Sequence, residues 1–545
     1  MSRLCRPSIL LIVSAAFAIA AAILFVRKAP SEARAEPRPV QSGDQEIVFL
    51  YQANSGATWE RLVAAAIHLQ KQRGFKLDIA RAYPEQTTEV PEVIVQTEPG
   101  KRRLVFRWYK VTSTQTAGDW IEALLKRPTR PLAIIGGNTS DMAWQLAREL
   151  KRLTQSIPER QRPLLLLTAA TAERVEPHVD AGAAPIGPED WGILLTDIYA
   201  GRTFRFCFTN RQMAADVVDF LWSQPELRPD PNPVYSAYWE DDSYSKDLSA
   251  QFEYALNRFN ARAVAREWAW ALGATTTGAY PWHLAFPRVE PVRSEVLVPP
   301  QYIPSSVGTF DRPNRWEWDA ARWLIDEFRK QTTRRRPLLV LTGQSKPSRR
   351  FLRSLEQYDR AAARKFIVAS GDSLAFNTIF RDRDVNWPIQ DLPFDLVFFC
   401  HRNPVDNEAG FRPDSPPSSA EDSSGASSTD DKLLFEDILL ALMDTAAGAY
   451  DAVTPSEVAD RLRSVRVRER SLFRPDGNRR SGTGEHVVWL HPTVKDGREL
   501  PEATLTVWAV RPEGGASGRW QLAAPARVIN YEESSRGGGS GHVGN

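Results

Sequence analysis

The sequence predicts an α/β protein built as two doubly wound parallel-sheet lobes. Short apolar runs alternate with stretches whose apolar residues recur at helical spacing, as in a parallel sheet covered on both faces. The alternation runs once to about residue 168 and restarts at residue 203. A late helical pair and β-rich runs then follow.

In the first lobe IVFLY (47–51) leads through Gln52-Ala53-Asn54-Ser55-Gly56 to a helix with Trp59, Leu62, Val63 and Ala66 on one face. LVFRWYKV (104–111) precedes a helix around Trp120 and Leu124. PLAIIGG (131–137) leads to a helix with Met142, Leu146, Leu150 and Leu153, and PLLLLT (163–168) follows. The second lobe opens with TFRFCF (203–208) and a helix at Met213, Val217, Phe220 and Leu221. It continues with VYSAYWEDDSYSKDLSAQF (234–252), where a strand turns acidic and hands over to a helix at Asp247, Leu248 and Phe252. LLVL (338–341), KFIVA (365–369) and DLVFFC (395–400) supply further strands. The expected divisions are 1–35 as signal peptide or membrane anchor with linker, 45–205 as the first part of lobe one, and 206–400 as lobe two with an insertion near 271–315. A disordered loop at 409–432 follows, low in hydrophobics and rich in Ser, Pro and Asp. Lobe one resumes with returning helices at 433–475, then a β-rich segment at 476–530 and a flexible tail at 531–545.

At 545 residues, 42% hydrophobic and 25% charged, the chain can bury several cores. Lys and Arg exceed Asp and Glu by two (69 against 67), with no long single-sign run, so no nucleic-acid partner is expected. Arg3 and Arg6 precede the uncharged run PSILLIVSAAFAIAAAILFV (7–26), long enough to cross a bilayer. Two readings fit it: a retained anchor, favoured by its length, or a cleaved signal, favoured by Ala33-Arg34-Ala35. Either places the bulk of the chain outside the cytoplasm, in the periplasm or at the cell surface. Beyond Cys5, Cys207 and Cys400 sit in apolar runs and are expected as two separate buried thiols. Seventeen tryptophans, including Trp316, Trp318 and Trp323, are expected mainly in cores.

Ligands of doubly wound sheets sit outside the carboxyl ends of strands. Three loops there carry chemistry. Gly136-Gly137-Asn138-Thr139-Ser140-Asp141 combines glycines, which leave room, with hydroxyls that either cap the helix or meet an anion. Thr168-Ala169-Ala170-Thr171 repeats the small, hydroxylated pattern. Ala369-Ser370-Gly371-Asp372-Ser373 offers a carboxylate that either caps the turn or pairs with an ammonium. Glu240, Asp241 and Asp242 read as solvated turn residues. His178, His283 and His401 have no nameable partner, and the chain has no G-x-S-x-G, H-E-x-x-H, Walker or G-x-G-x-x-G pattern. Neither an enzyme, a cofactor nor a metal site is expected.

Several stretches, in order, resemble the type I periplasmic-binding proteins, especially the leucine/isoleucine/valine receptors of ABC transport. VYSAYWEDDSYSKDLSAQF is similar to the family's strand, acidic turn, Tyr-Gly and helix, with Ser245 where Gly is usual. LLLLTAATAERV resembles its strand ending in Ala-Ala-Thr, and TFRFCFTNRQMAADVVDFL its Phe-Arg strand at the hinge. The helical segment ending DAVTPSEVADRLRS looks like the family's returning lobe-one helix pair, and SLFRPDGNRR (471–480) like its late Phe-Asp-x-x-Gly-Asn/Asp turn. The resemblance spans 46 to about 522. It implies two lobes joined by a hinge that closes on a small polar ligand, an amino acid or amide. Asn138, Thr139, Ser140, Ala169 and Thr171 would hold its carboxylate and Asp372 its amine, with Tyr244 or Gln344 on the far wall. The implied partners are an ABC permease or a membrane sensor, beside the membrane itself. The insertion and the acidic loop depart from simple transport receptors. They leave open a second reading, a membrane-anchored interaction or signalling protein that kept the fold without binding a small molecule.

Overall fold

The structure, a computed structural model, describes residues 36–86, 88–175, 192–227, 234–239, 242–271, 294–296, 315–330, 336–374, 394–401, 429–447, 453–467, 470–481, 486–495 and 498–510. The N-terminal apolar run, most of the insertion and of the 409–432 loop, the tail, Glu240, Asp241, His178 and His283 lie outside these residues. Among the described residues no helix is long and apolar enough to cross a membrane.

Lobe one begins with β1 (Asp44–Gln52), α1 (Gly56–Arg73), β2 (Lys76–Asp78), β3 (Glu92–Gln96), β4 (Arg103–Val111), α2 (Ala117–Leu125) and β5 (Ala133–Gly136). It continues through α3 (Ser140–Leu153), β6 (Leu164–Leu167), a small hairpin of β7 (Arg174–Val175) and β8 (Ile193–Leu194), α4 (Leu195–Ile198) and β9 (Thr203–Arg205). The sheet order is β2-β3-β4-β1-β5-β6-β9, parallel from β4 to β9. Central β1 is apolar on both faces because both are covered. Ile47, Phe49 and Tyr51 pack with α1, while Val48 and Leu50 pack with α2 and α3. The tryptophans follow suit: Phe49 lies 5.4 Å from Trp59, which stacks 6.1 Å from Trp108. The antiparallel edge strands β2 and β3 have no counterpart in the sequence reading, since three- and five-residue strands lie near the limit of periodicity.

Lobe two comprises α5 (Asn210–Ser223), β10 (Val234–Ala237), α6 (Ser243–Ala271), β11 (Ser294–Val296), α7 (Arg315–Lys330), β12 (Leu338–Leu341), α8 (Ser345–Tyr358), α9 (Arg360–Ala363), β13 (Ile367–Ser370) and β14 (Asp395–Cys400). Strands β11-β10-β12-β13-β14 run parallel in that order. Two cores again flank the sheet: Leu339, Leu341 and Val368 face α7 and α8, while Leu338, Val340 and Ala369 face α5 and α6. Trp323 of α7 is 40% exposed and so departs from the core expectation. Helix α5 starts in a reciprocal cap between Thr209 and Gln212.

The chain then returns to lobe one. Helices α10 (Thr429–Leu442) and α11 (Pro455–Ser464) bury Phe435, Ile438, Leu439, Val458 and Leu462 against β1 and α1. The short ladder of β15 (Arg466–Val467) and β16 (Arg470–Ser471) follows, then β17 (His486–Lys495) and β18 (Arg498–Ala509). The last two extend the lobe-two sheet antiparallel beyond β14, so the late β-rich segment is divided between a turn on lobe one and strands on lobe two. The architecture is the expected two doubly wound parallel lobes, with the chain passing between them three times. Arg479 pins the hinge: one Nη donates to the Phe206 carbonyl at 2.8 Å and the other to Asp437 Oδ2 at 2.9 Å, all buried. Gly477 (φ 82°) lies so close to the Thr203 carbonyl that a Cβ there would overlap it.

A candidate ligand site at the facing strand ends

Strand ends of both lobes meet the first turns of α6. Ser243 and Asp247 are one turn apart and therefore share a face. The Ser243 hydroxyl donates to Asp141 Oδ1 at 2.6 Å, and Asp247 accepts from the backbone N–H of Glu173 at 2.9 Å and of Arg174 at 3.3 Å, all in lobe one. Tyr244, turned away from them, donates to Asp372 Oδ1 at 3.0 Å within lobe two. One helix start thus touches both the Asn138–Asp141 and the Gly371–Asp372 loops.

In lobe one the hydroxyl of Thr139 accepts the Met142 N–H and caps α3, and the Ser140 hydroxyl accepts the Ala172 N–H at 3.2 Å. Each hydroxyl oxygen accepts one N–H within the lobe and keeps its own O–H donor. The room attributed to the glycines is also taken: a Cβ on Gly136 would come within 2.6 Å of Leu146, and one on Gly137 (φ 74°) within 2.8 Å of Ala143, because α3 packs directly on the strand end. Asn138 Oδ1 and Thr171 Oγ1 are different. Each atom is buried and has no hydrogen-bond partner among the described residues, and Thr171 is wholly buried. Ala169 is exposed beside them. A buried polar group left unpaired costs about 1–3 kcal/mol.

In lobe two Tyr244, Asp372 and His401 are paired within the lobe. Asp372 accepts from Tyr244 on one oxygen and lies 2.9 Å from His401 Nε2 on the other; each carboxylate oxygen can still accept a second donor. Burial, and then the Asp372 charge, hold the Tyr244 phenol well above its ordinary range, so it remains a donor. The Tyr244 oxygen also accepts the Ser373 N–H at 3.3 Å, and Ser373 donates to the Gly343 carbonyl at 2.7 Å. His401, whose ring stacks on Phe208 at 5.5 Å, was not assigned a partner from sequence. Its place directly after the buried β14 was the available signal, since that is a strand carboxyl end. The space over Gly343 is filled by the Trp239 ring and that over Gly371 by Tyr244 and Leu248. Gln344 begins α8 without capping it by a side-chain bond. Asp242, expected in solvent, is buried because its Oδ1 accepts the Tyr244 N–H at the start of α6.

Cys207 and Cys400 are free and buried, and burial pushes the Cys207 thiol up to about 12. A thiol so far from ionisation is a poor nucleophile. Among the described residues no cluster of three or more His, Cys, Asp or Glu could hold a metal.

No family profile and no curated protein matches this sequence. Among solved structures the chain is similar to a substrate-binding protein of an ABC transporter from Desulfitobacterium hafniense in complex with Leu, at 16% identity, covering 84% of this chain and 99% of that one, TM-score 0.45. It is also similar to the branched-chain amino acid transporter substrate-binding protein LivJ from Streptococcus pneumoniae in complex with isoleucine (12% identity, 85% and 99% covered, TM-score 0.44). A third is the solute-binding protein of an ABC transporter from Rhodopseudomonas palustris BisB5 in complex with 3,4-dihydroxybenzoic acid (9% identity, 84% and 95% covered, TM-score 0.46). At such identities nothing about a ligand passes from those proteins to this chain.

Proposed function

We propose that the chain is an extracytoplasmic solute-binding receptor that takes a small polar ligand, an amino acid or an amide, between its lobes, for ABC-type transport or for sensing. The observation that carries this reading is the pair of buried, unpartnered atoms, Asn138 Oδ1 and Thr171 Oγ1, at lobe-one strand ends beside the lobe-two contact. A ligand bearing both a donor and an acceptor would satisfy them, with Gln344 reaching it from lobe two. Thr139, Ser140 and the Ala169 backbone shape the lobe-one side, and the hydrogen-bonded Tyr244–Asp372 pair forms the facing wall. The N-terminal apolar run supports export, as anchor or as signal. The test is thermal shift of the purified mature chain against free amino acids, primary carboxamides and small carboxylic acids. A ligand at 100 times its Kd adds about 2.7 kcal/mol, and Thr171→Val should erase the shift. A panel without any shift rejects the receptor reading. N-terminal sequencing of the exported protein distinguishes cleavage after Ala35 from a retained anchor.

A second reading has its own support. Trp239 and Tyr244 occupy the space over Gly343 and Gly371, and Asp372 is already paired. That suits a membrane-anchored interaction or signalling protein that kept the fold without a ligand. It predicts no shift with any solute and an unaltered melting temperature on Gln344→Ala.

A further inference from the structure

Asp247 is wholly buried, yet it belongs to neither the ligand loops nor a lobe core. Its Oδ2 accepts the Glu173 N–H at 2.9 Å and Asn210 Nδ2 at 2.8 Å. Its Oδ1 accepts the Arg174 N–H at 3.3 Å and Gln251 Nε2 at 3.4 Å. Two of these donors are backbone amides of the lobe-one loop after β6, and one is the first residue of α5, directly after the hinge strand. That residue's own N–H donates to the Thr171 carbonyl at 2.8 Å. A single carboxylate therefore gathers donors from lobe one, from the hinge and from lobe two.

We propose that Asp247 is a carboxylate strut that sets the angle between the lobes: ionised, it ties the 173–174 segment to the starts of α5 and α6, and protonation releases the tie. The four contacts are all donors, so an O–H on either oxygen faces an N–H and breaks that side of the arrangement. Asp247 serves as a positioning residue and touches no ligand. The charged groups around it are mixed. Glu173 and Arg174 come from the loop, Arg205 from β9, Arg211 from α5, and Asp141 from the start of α3 one turn away. Arg211 Nε lies 2.9 Å from Glu173 Oε2, and Arg205 donates to the Ala172 carbonyl at 2.8 Å. Among the described residues none of these cations forms a direct ion pair with Asp247, although the Arg205 charge acts on it from a distance. Burial accordingly pushes the Asp247 carboxyl up to about 6, so release falls in mildly acidic solution. Its folded value lies above the ~3.9 of an unfolded chain. The folded protein hence takes this proton first, and this group lowers global stability as pH rises from about 4 to 6. Loosening of the strut is thereby separable from acid unfolding.

The experiment is hydrogen exchange by mass spectrometry on the full, ligand-free chain at about pH 7.5 and pH 5.0, corrected for intrinsic rates and read over a peptide covering 171–176. One unit below its midpoint the group is about nine-tenths protonated. Exchange of the Glu173 and Arg174 amides should then accelerate about tenfold or more, while the β5 amides stay protected. In Asp247→Asn the segment should exchange fast at both pH values, with a melting temperature at neutral pH unchanged or raised. A merely structural role would lower that temperature and leave no pH dependence. Equal protection at both pH values in the wild-type chain overturns the strut, whether or not the variant folds. Because no solute is present, a failed ligand panel leaves this result standing, and a flat exchange profile leaves the receptor reading untouched.

Discussion

The two lobes build their facing ends from the same strand–loop–helix unit and use them in opposite ways. In lobe two Asp372 and His401, at two strand ends, and Tyr244, in the first turn of α6, join through Asp372, and aromatic rings fill the space that glycines leave. In lobe one the hydroxyls nearest the helix cap are satisfied, but Asn138 and Thr171 keep polar atoms buried and unpaired. Such an atom costs about 1–3 kcal/mol while it stays unpaired, and buried polar atoms of this kind occur in lobe two as well.

The largest expected effect tests the frame in which this contrast is held. Arg479→Met takes the guanidinium from the buried Asp437 carboxylate and from the Phe206 carbonyl, and should cost about 3–5 kcal/mol in urea unfolding. A loss below about 1 kcal/mol would mean that the hinge does not depend on this residue. Next, Asp372→Ala leaves the Tyr244 and His401 donors without an acceptor, at about 1–3 kcal/mol. Thr171→Val should do the reverse in the ligand-free chain, neutral or stabilising by up to about 1 kcal/mol, since it removes an unsatisfied hydroxyl. Equal destabilisation by the two substitutions would erase the difference between the lobes. The smallest effect lies far from the cleft, where Asp395 of β14 meets His491 and Trp489 of β17 and Arg336. Burial alone would raise the Asp395 carboxyl, but the His491 hydrogen bond and the Arg336 charge outweigh it and lower it; the same hydrogen bond raises His491. The pair therefore stabilises most between about pH 4 and 6.5, losing strength as pH falls through the depressed Asp395 value or rises through the raised His491 value. His491 is half exposed, so the gain after solvent screening is under about 1 kcal/mol. It should vanish in His491→Gln, read as denaturant midpoints at pH 5.5 and 8.5.

Much of the fold was legible in the sequence because its central strands are buried on both sides, which writes them as unbroken apolar runs such as LLLL and DLVFFC. The returning helices were legible through the likeness of DAVTPSEVADRLRS, and the structure starts the second of them in a Thr454–Glu457 cap. The site was legible only as a set of loops. That Asp372 meets Tyr244 and His401 depends on contacts across the chain that no local pattern encodes. Asp247 makes the point most clearly. Beside Leu248 and Phe252 it reads as an ordinary helix position, yet its partners are backbone amides 74 and 73 residues earlier, and backbone amides leave no trace in residue identity.

The threefold passage of the chain between lobes governs the order in which the molecule can be made. Lobe one lacks the helices that cover α1 until about residue 464 has been synthesised, and lobe two lacks the partner of β14 until β17 emerges. Neither half can finish on the ribosome before nearly all of the polypeptide has left it, so both should mature together, late, and with apolar faces needing protection in the meantime.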